Sequence, residues 1–168
     1  MPGRDKITPK GKDFFKQIKE LKKLQVRVGF QHGRASDPGS GADLADVAAW
    51  NELGTEHSPP RPFLRQSVDN NADPINAMCA SQLKRITNGQ ASAREALQDL
   101  GDMQKALVQN EIKTGSFEPN APITISGGWM WRKGRAFYVK GKGSDRPLID
   151  TGQLRYSVNF TIQKKGGG

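Results

Sequence analysis

Few side chains in this chain are of the types that perform covalent chemistry. There are two histidines, His32 and His57, and one cysteine, Cys79. A nucleophile needs a base within hydrogen-bond reach, and a zinc site needs Cys or His at ligand spacing; neither pattern is present. His32 lies in a Gly/Ser/Asp/Pro-rich stretch, residues 31–41, which reads as a surface loop or hairpin tip and offers it no companions that suggest catalysis. Cys79 shares an apolar helical stripe with Ile75, Met78, Leu83 and Ile86, a pattern that predicts a small buried hydrophobe and not a nucleophile. Asp150-Thr151-Gly152 has the composition of half a carboxylate dyad. Such a dyad needs apolar strands on both sides and a second copy, whereas Gln153-Leu154-Arg155 reads as helix. With no Gly-rich phosphate loop opening a helix, the expectation is a protein that is not an enzyme and holds no metal or cofactor.

Recognition chemistry is better represented. Trp129-Met130-Trp131-Arg132-Lys133-Gly134-Arg135, continued by Lys140 and Lys142, mixes aromatics with positive charge. Such a segment can stack on bases and pair with phosphates, or anchor a protein interface, the favoured reading because no nucleic-acid module surrounds it. The second stretch is residues 46–65. Here Val47-Ala48-Ala49-Trp50 leads into Asn51-Glu52-Leu53-Gly54-Thr55, and Pro59-Pro60-Arg61-Pro62-Phe63-Leu64-Arg65 follows. A helical segment stopped by Gly and followed by three prolines within four residues predicts a helix end and a rigid extended connector. Trp50, Glu52, His57, Arg61, Phe63 and Arg65 then read as a contact surface more than a core.

The elements that position these segments follow from periodicity. Residues 1–12 are polar, basic and contain two prolines, so an arm is expected. Phe14, Ile18 and Leu21 form a helical stripe with Asp13 as its cap; it packs on the sheet, with a membrane-surface helix as the lesser alternative. Residues 24–30 alternate as a half-buried strand. Leu44, Val47, Ala48 and Leu53 predict a helix within 42–53. The longest helical region, 66–113, breaks near residues 70–74, with Asp73 capping and Pro74 in the first turn, and again at Asn88-Gly89. Between the punctuating Gly and Pro residues of 115–146, Ile123-Thr124-Ile125 and Ala136-Phe137-Tyr138-Val139 read as short strands. A one- or two-turn helix follows Asp150, and Val158, Phe160 and Ile162 alternate as a closing strand that can pair with the strand at Val26. The fold class expected is α+β: a small, mainly antiparallel sheet packed against long helices, with extended arms and a β-hairpin insertion. One domain spans 13–162, flanked by an N-terminal arm, 1–12, and a C-terminal tail, 163–168.

Composition agrees with a modest core and many loops: 35% hydrophobic residues and 19 glycines in 168. No run approaches the roughly 20 apolar residues of a membrane span, and no apolar signal segment follows the basic N-terminus, so a soluble protein made in the cytosol is expected. The net charge of +9 is unevenly spread. Residues 1–30 carry nine Lys/Arg against three Asp/Glu, residues 31–114 eight against eleven, and residues 115–168 nine against three. Basic ends and a mildly acidic middle suit nucleic acid, an acidic partner, or copies of the chain whose basic ends meet acidic middles.

Three blocks together carry a family resemblance. Val-Ala-Ala-Trp-Asn-Glu-Leu-Gly-Thr, then Pro-Pro-Arg-Pro-Phe-Leu-Arg, and later Pro-Leu-Ile-Asp-Thr-Gly-Gln-Leu-Arg-Tyr-Ser-Val resemble the neck and tail-completion proteins of tailed bacteriophages, the head-tail joining or minor tail-component family. Val26-Arg27-Val28-Gly29-Phe30 stands where that family has its first strand. The resemblance implies a structural virion protein, made in the host cytoplasm and located at the neck. It would assemble with itself as a ring of six or twelve copies between a head-side connector and the tail tube or terminator, leaving a channel for DNA. Candidate subunit or partner contacts are Trp50, Asn51, Glu52, Arg61, Phe63, Arg65, Trp129, Trp131, Asp150 and Arg155. Sequence-independent nucleic-acid binding through the basic ends and residues 129–142 is the alternative.

Overall fold

The computed structural model describes residues 7–38, 40–143, 145, 148 and 152–166. Among them are seven helices and four strands, which form two separate two-stranded antiparallel sheets, so the fold is mixed helix and sheet as expected. The chain divides into two compact units, each drawn from separate stretches of sequence, where the sequence reading has one domain over 13–162.

The first unit comprises Met1–Gly29, Ser67–Leu107 and Asn159–Gly168. Helix α1 spans Pro9–Lys23 and starts before the expected cap at Asp13. Thr8 is the cap: its hydroxyl accepts from the Gly11 amide at 3.2 Å, and Pro9, whose missing N–H costs nothing in a first turn, opens the helix. Residues 9–12, assigned to the arm, are therefore helical. Phe14 and Leu21 pack against Ile86, Ala91 and Ala96. Strand β1, Leu24–Gly29, pairs with β4, Asn159–Lys164, in the register Val26 opposite Ile162 and Val28 opposite Phe160. That is the pairing the alternation predicts.

Helices α4 (Ala72–Thr87) and α5 (Ala93–Thr114) divide at Asn88-Gly89 as expected, and Gly89 turns the chain at φ 71°. At the start of α4 the cap is Asn71, not Asp73, which lies in the first turn with Pro74. The Asn71 side chain donates instead to the Ser67 carbonyl at 3.0 Å. Cys79 is exposed, contrary to the buried position predicted. The inward face of α4 runs through Ile75, Met78, Gln82 and Ile86, and Cys79 lies about 100° round the helix from Met78. Helix α5 opens on a reciprocal cap, Glu95 accepting from the Ser92 amide at 2.7 Å while the Ser92 hydroxyl accepts from the Glu95 amide at 3.2 Å. Gly101, midway along α5, admits the Phe160 ring of β4: a Cβ there would lie 2.4 Å from it.

The second unit comprises Phe30–Gln66 and Val108–Val158. Helix α2, Leu44–Leu53, is capped by Asp43, which accepts from the Ala45 amide at 2.8 Å and also from Gly33, tying down the preceding loop. Gly54 ends it at φ 77°; a Cβ there would meet the Pro60 nitrogen at 2.9 Å, so the Pro-rich segment folds back directly over this residue. Helix α3, Phe63–Asp69, follows. After α5, residues 122–126 form a short helix, α6 (Pro122–Ser126), where Ile123-Thr124-Ile125 was expected as strand; Pro122 in its first turn sets a helical φ. The hairpin of β2 (Gly128–Arg132) and β3 (Arg135–Val139) comes next, then α7 (Gln153–Ser157), whose Leu154 is buried along with Val158.

Candidate interaction surface

The residues singled out around 46–65 are held by one network within the second unit. Arg61 is 8% exposed, and its guanidinium donates to the Glu118 carbonyl at 3.2 Å, to Asn51 Oδ1 at 3.3 Å and to Asn120 Oδ1 at 3.3 Å. Its amide donates to the Asn51 carbonyl at 2.6 Å. Burial pushes the guanidinium's pKa down and Glu118 pulls it back. Glu52 accepts from the amides of Leu64 at 2.8 Å and Arg65 at 3.1 Å, so its carboxylate sits on the N-terminus of α3, where exposed amides and the helix dipole favour negative charge. Phe63 is fully buried and meets Phe30 edge-on with ring centroids 6.0 Å apart.

These positions correct the sequence reading. Arg61 and Phe63 are interior and cannot form the contact surface assigned to them, and Asn51 and Glu52 spend their polar groups inside the unit. The physical reason is that Pro59-Pro60-Arg61-Pro62 folds back on α2 instead of projecting from it. Trp50 and the Arg65 side chain remain exposed. Arg155 is half-buried, with its guanidinium 4.6 Å from the ring of its neighbour Tyr156. Asp150 lies outside the described residues.

The aromatic segment stands as an uncovered ribbon. Lys133 and Gly134 take φ of 51° and 77°, the left-handed pair a two-residue hairpin turn requires. Trp129 faces Tyr138 and Trp131 faces Ala136 on one side of the ribbon; Met130 faces Phe137 on the other. Trp129 and Trp131 are 70% and 76% exposed, and Tyr138, Phe137 and Met130 are exposed too. The Trp129 and Tyr138 rings make an edge contact at 5.6 Å, which orders one face without burying it. The base of the ribbon is fixed: Lys142 and Gly143 amides donate to the carbonyls of Thr124 and Ile125 at 2.9 and 3.0 Å.

Sequence reasoning missed three features of this unit. Asn120, which closes the Arg61 network, gave no signal beyond its place between Pro119 and Pro122. The outer face of α2 is apolar, Leu53 being 73% exposed beside Trp50 and Ala49, which the sequence reads as ordinary helix periodicity. The carboxylates near His32 gave no signal either: its ring nitrogens lie 3.5 Å from Asp43 and 3.6 Å from Asp46. Among the described residues, no group of three or more His, Cys, Asp or Glu side chains is arranged to hold a metal ion. In the first unit, Ile7, just before α1, and Phe15 on it are exposed among Lys12, Lys16, Lys19 and Lys23. No helix of the described residues is long and apolar enough to cross a membrane.

No protein-family model matches the chain, and neither the curated proteins nor the solved structures include one that matches it.

Proposed function

We propose that this chain is a structural assembly protein that joins copies of itself into a closed ring, serving at the head-tail junction of a tailed phage, as the neck proteins its sequence blocks resemble do. One observation supports the assembly reading above others: a ribbon with aromatic side chains exposed on both faces, fixed at its base. A lone two-stranded ribbon is marginally stable in water, and large exposed aromatic patches on single chains mark surfaces that another molecule covers. In this reading the ring offers one face to a head-side connector and the other to the tail tube or terminator, with DNA passing through the channel.

The second reading, sequence-independent nucleic-acid binding, draws on the same ribbon, because residues 128–142 carry five Lys/Arg and no Asp/Glu. Two measurements separate the readings. Native mass spectrometry over a concentration series tests for a closed oligomer whose copy number stops rising. A DNA titration at several salt concentrations tests for the steep loss of affinity that phosphate contacts produce. A saturating copy number with weak DNA binding supports the ring; salt-steep DNA binding by a chain that stays monomeric replaces it with the nucleic-acid reading.

A further inference from the structure

Helix α2 carries apolar residues on opposite sides, yet only one side is covered. Leu44 and Ala48 are buried; Asp46, Ala49, Trp50 and Leu53, spaced three or four residues apart on the opposite side, face outward, and the exposed Glu56 follows. A helix with apolar residues on opposite sides is ordinarily covered on both. The aromatic ribbon, in the same unit, is likewise uncovered.

The charges of the two patches are opposite. The ribbon tip carries Arg132, Lys133 and Arg135, and Arg132 stands directly opposite Arg135 in the strand register. Like charges directly opposed across a hairpin repel, so a free chain holds this tip at a cost that an acidic neighbour removes. Asp46, half-exposed beside His32, lies on the outward side of α2, and Glu56 is exposed in the turn just past the helix end. Area agrees as well: Trp129, Trp131 and Tyr138 bring about 150–250 Å² each, the larger part of the roughly 800 Å² per partner of a stable contact.

Building on the assembly reading, we infer that the ribbon of one copy docks on the outer face of α2 of the next, its aromatics on Ala49, Trp50 and Leu53 and its basic tip against Asp46 or Glu56. The contact joins two different patches, so it is head-to-tail, the type that closes into rings.

The test uses the full-length chain. A carbodiimide forms an amide directly between a Lys amine and a carboxylate, and an equimolar mixture of heavy-isotope and ordinary protein distinguishes links between copies from links within one. The result expected is mixed-isotope links from Lys133 or Lys140 to Asp46 or Glu56. Mixed-isotope links elsewhere overturn this contact while leaving a ring standing; none at any concentration overturns both. Charge reversal gives the second arm. Arg132→Glu with Arg135→Glu keeps the like-charged pair, and Leu53→Lys with Glu56→Lys changes only exposed side chains, so circular dichroism should show both variants folded. Each alone should weaken self-association at least tenfold, and an equimolar mixture should recover it, since each then meets its complement. Self-association unchanged in both variants, or loss of DNA binding alone in the Arg132/Arg135 variant, overturns the proposal, the latter in favour of nucleic acid.

Discussion

Arg61 and Asn120 are 59 residues apart in sequence, yet the guanidinium of one donates to the side-chain oxygen of the other across 3.3 Å. With Asn51 and the Glu118 carbonyl, Asn120 converts an arginine between prolines from a surface charge into the organising centre of the second unit.

Arg61→Ala should therefore act on stability first. It leaves three acceptors without their donor, a loss of about 2–3 kcal/mol for a hydrogen-bonded buried charge. Arg61→Lys should recover little, because a single amine cannot reproduce the planar fork that reaches three acceptors. Urea unfolding monitored by circular dichroism measures both; a variant as stable as the parent would mean the network does not hold the connector.

Glu52→Ala should cost about 1 kcal/mol, the usual value of a side chain satisfying N-terminal helix amides. Hydrogen exchange locates the effect: the Leu64 and Arg65 amides should lose protection while those of α5 keep theirs. Equal loss in both helices would point to global destabilisation in place of a lost cap.

Gly101→Ala sets two effects against each other. Alanine favours a helix interior by about 1 kcal/mol, but its Cβ would lie 2.4 Å from the Phe160 ring. Overpacking of a fitted contact costs roughly 1–3 kcal/mol, so the net change should be destabilising. Phe160→Leu in the same chain should recover part of the loss. A more stable Gly101→Ala chain would show that β4 shifts freely against α5.

Acidification should loosen two helix starts. Backbone hydrogen bonds from Gly33 and Ala45 hold Asp43 below its ordinary 3.8, and hydrogen bonds from Ser92 hold Glu95 below its ordinary 4.5. A carboxylate depressed in the folded state contributes stability above its unfolded pKa and loses it as pH falls through the folded value. Melting temperature should thus be level through neutral pH as far as these groups are concerned and fall below about pH 4.5. Glu95→Gln, which has no titrating group there, should make the fall shallower; an unchanged slope would remove Glu95 from the account.

Trp131→Ser should leave the unfolding free energy within about 0.5 kcal/mol, since a surface side chain removed from water contact alone changes little. The same variant should lose self-association. Stability lost with association intact would mean that the ribbon serves its own chain.

Legibility in the sequence followed the range of the interactions. Pairing of β1 with β4 was readable because Val26, Val28, Phe160 and Ile162 alternate within short windows, and the break between α4 and α5 because Asn88-Gly89 is local turn chemistry. The aromatics and cations of residues 129–142 were visible as a hairpin region and Ala136 to Val139 as a strand, but its partner Gly128–Arg132 was not read as one. The burial of Arg61 was not legible, because its partners Glu118 and Asn120 arrive from more than fifty residues away, nor was that of Phe63, whose ring meets the distant Phe30. Cys79 was misjudged because the apolar stripe of α4 is broad and only packing decides which edge faces in. Ile123 to Ile125 looked like strand from their side chains alone, while Pro122 and the clamp to residues 142 and 143 favoured one helical turn.

The most direct test of the assembly account is the location and copy number of this chain in purified phage particles, by imaging the head-tail junction and weighing the released neck by native mass spectrometry. The account predicts density for the chain at that junction in a cyclic copy number, with the ribbon of each copy against its neighbour. Absence from the particle would contradict it.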